Sequence, residues 1–187
     1  MDDSGQIRKG WRDRPVGKLL ARIDPRMALA KSVVVWVAFA AGGYVTGHIH
    51  GENRMLGAML AAVSGIVVLQ GDIRTSVRQG WLRVLGTFIG AVLACLYLTF
   101  FRFTLPGMVL MVFLLEILCM LLKIPDNGKM ATITLVIISV VSVRYPDLPA
   151  WANGLLRFTE ATIGALAGIA AAWVLRTVRN RIPPPGP

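Results

Sequence analysis

The chain has 187 residues, 55% of them apolar and 16% charged, with a mean hydropathy of +0.63; a soluble domain carries about 25% charged residues, so this chain has too few to solvate a globular surface. Long apolar runs exclude a disordered chain and a collagen-like fibre, and its only cysteines, Cys95 and Cys119, both inside such runs, exclude a disulfide-stapled secreted module. The net charge of +10 is spread among short polar segments between the runs, which is a pattern of membrane topology and not of a nucleic-acid-binding patch.

Residues 1–26 form a basic segment containing Arg8, Lys9, Arg12, Arg14, Lys18, Arg22 and Arg26, interrupted by the helix breaker Asp24-Pro25. It is too charged and too long to open a cleaved signal peptide, so the first apolar run is expected to be an uncleaved anchor. Two readings of this segment stay open: a basic amphipathic helix on the inner surface, with Trp11, Val16, Leu19, Leu20 and Ile23 toward lipid, or a disordered arm that only sets topology. Six apolar segments follow: Met27 to Val45, Met55 to Leu69, Trp81 to Phe101, Leu105 to Leu122, Met130 to Val143 and Leu155 to Leu175. Each is near or slightly below the roughly 20 residues that span a bilayer, the second and fifth being short. Residues 176–187 are a basic, proline-rich tail.

Lys and Arg fall on one side. The N-terminal segment, the connection with Arg74, Arg78 and Arg83, the connection with Lys123 and Lys129, and the tail with Arg176, Arg179 and Arg181 share it, against only Arg54, Arg102, Arg144 and Arg157 opposite. Positive residues stay in the cytoplasm, so both termini of a multi-pass membrane protein are expected there.

Gly80 to Ala91, GWLRVLGTFIGA, resembles Gly154 to Ala165, GLLRFTEATIGA, and the same offset lays the second apolar run over the fifth. Each half, about 27–101 and 105–175, then holds three spans, and an odd number reverses their direction in the membrane. The expected fold is therefore all-α, with six transmembrane helices in two inverted three-helix repeats, a plan common among secondary transporters. The third and sixth helices carry small residues at four-residue spacing, Gly86, Gly90 and Ala94 and then Gly164, Gly168 and Ala172. That spacing lets backbones approach closely, so both helices should be central.

Ionisable groups inside a span are costly unless they meet a partner or water. Arg157 and Glu160, three apart on one helix face, can pair, as a structural clamp or as part of a pathway. Glu116, inside LLEILCMLL, would accept a proton if unpaired, or lock two helices if paired with Lys31 of the first span. Arg83 and Arg157 take equivalent repeat positions, expected at opposite membrane faces. Their planar forks suit an anionic substrate, although either alone could snorkel to phosphate head groups. His48, His50 and Glu52 alternate in the first external loop, but three ligands without a distant partner read as a wet loop, so no metal and no cofactor is expected. No nucleophile elbow, phosphate loop or paired-Cys motif occurs, which argues against an enzyme.

Ala61 to Ala94, AAVSGIVVLQGDIRTSVRQGWLRVLGTFIGAVLA, resembles the membrane module of the fusaric acid resistance and aromatic acid exporter superfamily. There a span ending in a Leu-Gln motif leads through a basic loop into an Arg-x-x-Gly-Thr-x-x-Gly helix, here Leu69, Gln70, Arg83, Gly86, Thr87 and Gly90. Arg157 to Gly168 is similar to a second Arg-x-x-Glu-Thr-x-x-Gly signature, with Ala161 where Thr is common, and LKIPDNGKM after the fourth span also fits. The resemblance implies a module that exports small aromatic or related organic acids and works as a homodimer, like the related plant malate channels, or a higher homo-oligomer. It also implies a place in the bacterial inner membrane. On the reading of the residues, Arg83 and Arg157 are the expected anion contacts in substrate binding, with Thr87 as polar support and Glu116 with Glu160 for proton coupling. The large cytosolic domain and second membrane half of many such exporters are missing, and a His-rich loop replaces the aromatics common after the first span. A passive anion channel and a non-transporting scaffold are the competing expectations.

Overall fold

Two aspartates set where helices begin. The Asp24 carboxylate accepts hydrogen bonds from the backbone N–H groups of Arg26 and Met27 at 3.0 and 3.2 Å, and Pro25 takes the first helical position, where its missing N–H costs nothing. Asp24-Pro25 therefore starts a helix. Asp72 accepts from Arg74 and Thr75 in the same way, so the third helix begins well before the apolar window that opens at Trp81.

In this computed structural model, residues 24–121 and 125–181 are described, and their regular structure is helical throughout. The order is α1 (Pro25–Ile49), a short 3-10 turn (Gly51–Asn53), α2 (Arg54–Val68), α3 (Ile73–Phe100), α4 (Leu105–Leu121), α5 (Pro125–Arg144) and α6 (Ala150–Arg181). Each of the six apolar segments falls on one of these six helices. The interfacial helix expected before Asp24, Lys123 and the proline tail from 182 lie outside the described residues.

Helices α3 and α6 pack along each other at the centre. Around them α2 rests on α6 and α5 rests on α3; α1 covers α2 and α6, and α4 lies against α5 and the edge of α3. Close approach is possible because glycines face backbone. A Cβ at Gly90 of α3 would run into the Ala131 carbonyl of α5, and one at Gly164 of α6 would run into the Ala61 carbonyl of α2. Two apolar cores result: Ala91, Ala94, Leu115, Cys119, Leu135 and Ile138 between α3, α4 and α5, and Val34, Leu69 and Ala172 between α1, the end of α2 and α6.

The molecule is polar inside and apolar outside. Ser64, Arg83, Thr87, Thr134, Asn153, Arg157 and Glu160 are buried, while Trp36, Phe100, Phe113, Leu121 and Trp173 are more than half exposed. Such a surface is stable only in lipid. Helices α1, α3 and α6 are long and apolar enough to cross a membrane. Helix α2 has 15 residues, about 22 Å at the α-helical rise, shorter than a hydrocarbon core of about 30 Å.

Candidate functional site

The site is assembled where the two central helices meet α2 and α5. Arg83, on the buried face of α3, is 6% exposed; Arg157 and Glu160, one turn apart on α6, are 3% and 0% exposed. Arg83 Nε donates to Ser64 Oγ of α2 at 3.0 Å, and its Nη1 lies 3.1 Å from Met130 Sδ of α5. Arg157 Nε donates to Asn153 Oδ1 at 3.2 Å, and its Nη1 stands 2.8 Å from Glu160 Oε2. The other Glu160 oxygen accepts from the Thr46 hydroxyl of α1 at 2.7 Å. Asn153 is held in turn, its Nδ2 donating to the Ile138 carbonyl and to Ser142 Oγ of α5. This chain of bonds ties α1, α5 and α6 to one arginine.

Gly57 makes the arrangement possible, because any Cβ there would fall 2.5 Å from Glu160 Oε1 and would displace Thr46. Gln70, of the Leu-Gln motif, plays a local part: its side-chain amide donates to the Val67 carbonyl, and its backbone N–H donates to Ser76 Oγ. These bonds fix the turn between α2 and α3, and hence the register at which Arg83 meets Ser64.

Both arginines line one small cavity of about 10 Å³, with Ser64, Thr87 and Thr134 also in its wall. The sequence reading put the guanidinium groups at opposite mouths of a route. The fold brings their side chains together: α3 and α6 run antiparallel, with Phe88 against Phe158 and Gly80 against Ile169, and the two arginines reach one cavity from different levels. The volume suits about one water molecule. Among the described residues, no hydrogen-bond acceptor meets the buried Arg157 Nη2. Thr87 faces the cavity, but its hydroxyl already donates to the Arg83 carbonyl at 2.7 Å. A far larger hollow, about 460 Å³, lies elsewhere between α1 and α6, lined by apolar side chains such as Leu29, Val33, Ala170 and Val174 with Arg26 the charged exception. It is a lipid-facing groove without the chemistry of the central cavity.

The two carboxylates singled out together lie apart. Glu160 belongs to the arginine network, whereas Glu116 on α4 accepts from Thr132 Oγ1 of α5 at 2.9 Å and sits against Gly128, where a Cβ would lie 2.6 Å from Glu116 Oε2. Pairing of Glu116 with Lys31 does not occur: α1 and α4 do not pack together, and Lys31 is exposed on α1. His48 and His50 turn to different partners, the Tyr44 carbonyl at 2.8 Å and Asn53 Nδ2 at 3.2 Å.

Sequence reasoning missed Ser64, Thr46, Asn153 and Gly57. Each is a small or polar residue within or beside an apolar run, the signal expected where a buried charge on another helix needs a partner.

A family model described as fusaric acid resistance protein-like matches residues 33–171. No curated protein and no solved structure matches the chain.

Proposed function

The chain belongs to the fusaric acid resistance protein-like family, and from that premise we propose that it exports small aromatic or related organic acids across the bacterial inner membrane, with the carboxylate held between Arg83 and Arg157. The single observation that carries this reading is the convergence of two buried guanidinium groups on one cavity, one with an unpartnered Nη2. A buried fork without an acceptor is a standing attraction for a planar anion.

On this reading all six helices cross the membrane as inverted repeats, with both termini in the cytoplasm. Two features support the repeats: Arg83 and Arg157 take matching positions, and α2 on α6 mirrors α5 on α3. The binding level lies where the repeats meet, as alternating access requires. The cavity holds about one water and most of its lining is buried, which favours a gated carrier over a standing pore. Thr87 supports the anion once its hydroxyl turns from the Arg83 carbonyl. Glu160 and Glu116 are the groups for proton coupling, and two or more copies assemble.

The test is flux of benzoate and related carboxylates in proteoliposomes of the purified protein, with and without a proton gradient. Charge-assisted hydrogen bonds are worth about 1.5–3 kcal/mol, so Arg83→Ala should slow flux about ten- to a hundredfold. Unchanged flux in Arg83→Ala, or none with the intact protein, refutes the reading. Flux that follows voltage and the anion gradient alone identifies a passive channel.

A further inference from the structure

The two central arginines hold equivalent places but have unequal surroundings. Three residues after Arg157 stands Glu160; three after Arg83 stands Gly86. Arg157 is therefore met by a carboxylate oxygen at 2.8 Å, whereas among the described residues Arg83 meets the neutral Ser64 Oγ and Met130 Sδ. Guanidinium groups keep their proton in proteins. With Glu160 ionised, the buried set of Arg83, Arg157 and Glu160 carries one net positive charge.

We propose that the site accepts a singly charged anion as it stands, and admits a second negative charge only together with a proton taken up on Glu160. This deepens the transport reading and rests on it. A monoanion brings the enclosed set to neutrality. A dianion leaves an uncompensated buried charge, which a low-dielectric site does not tolerate. A solvent proton on Glu160 restores the balance, and the site can hold it. Thr46 Oγ1 now donates to Glu160 Oε1 at 2.7 Å, and a hydroxyl can equally accept from a protonated carboxyl by reversing that bond. The groups facing Glu160 are Arg157 on its own helix, Thr46 from α1 and Gly57 from α2; Arg157 in turn shares the cavity with Arg83 from α3 and Thr134 from α5. His48 and His50, at the end of α1, bond Tyr44 and Asn53 instead.

The test uses the full chain in nanodiscs and calorimetric titration with benzenesulfonate and benzenedisulfonate. Both probes stay fully ionised between about pH 5 and 8, so any pH dependence belongs to the protein. Benzenesulfonate should bind with a flat pH profile. Benzenedisulfonate should bind more weakly at neutral pH and tighten by up to about tenfold per pH unit on acidification, one proton entering with it. In Glu160→Gln the preference should invert toward the disulfonate and its pH dependence should vanish. If that variant does not fold, the pH series on the unsubstituted protein decides alone. Equal affinity for both probes with flat profiles overturns the charge count while leaving transport intact. Failure of both sulfonates and of benzoate to bind overturns the transport reading, and this inference with it.

Discussion

Removing one member of the Arg157–Glu160 pair should be among the most damaging single changes in this protein. The two groups are 3% and 0% exposed and 2.8 Å apart at their nearest atoms. With charge centres about 4 Å apart and an effective dielectric near 20, the attraction is about 4 kcal/mol. Losing one partner also leaves the other charge buried and unmatched, so a total cost of about 3–5 kcal/mol is expected. Glu160→Gln is the informative change, because the amide oxygen can still accept from Thr46 while the charge and the acceptor facing Arg157 Nη1 are lost. Arg157→Met removes the cation and keeps most of the volume. The double variant should be less destabilised than the two single effects summed, by about 2 kcal/mol or more, since neither charge is then stranded. Reversible denaturation in mixed micelles, followed by tryptophan fluorescence, measures all four corners of the cycle. Additive effects, or a Glu160→Gln variant within about 0.5 kcal/mol of the unsubstituted protein, would refute the claim that this pair is a desolvated, mutually dependent unit.

Gly164→Ala should cost about 1–3 kcal/mol, because the added methyl meets the Ala61 carbonyl, Ser64 Cβ at 2.6 Å and the Gly65 nitrogen at 2.8 Å. Gly51→Ala, with open space around it, is the matched control and should unfold like the parent. Ser64→Ala strands Arg83 Nε in a dry site and should lower stability by about 1.5–3 kcal/mol, read in the same denaturation assay. Lys31→Gln should change stability by less than about 0.5 kcal/mol, since Lys31 is exposed and remote from α4; a larger loss would restore a partnership with a buried carboxylate. The Thr75 N–H holds the Asp72 carboxyl below its usual range. Its contribution is present above the unfolded value and lost as pH falls through the folded one, so Asp72→Ala should unfold at a lower temperature than the parent at neutral pH, with the gap closing below about pH 4.

The apolar runs and the small-residue stripes of α3 and α6 were legible because each is a property of one helix: its length against the bilayer and its period against its own axis. The burial of Arg157 with Glu160 was legible for the same reason, three residues on one helix face. What failed was placement between helices. Lys31 and Glu116 were matched by depth alone, and depth does not say which helices are neighbours. The arginines were set at opposite faces from topology alone, whereas the antiparallel crossing of α3 and α6 brings both to one cavity.

Sequence by itself determined that the chain lives in lipid, that its regular structure is helical, and that its family signatures centre on two arginines, because hydropathy, periodicity and local spacing need no knowledge of neighbours. Only the tertiary structure decided that Ser64 is the partner of Arg83 and Thr46 that of Glu160, that Asn153 ties the Arg157 helix to α5, and that Gly57 leaves room for Glu160. Those contacts join residues far apart along the chain, and in an apolar solvent they form wherever packing lets a buried polar group find an acceptor.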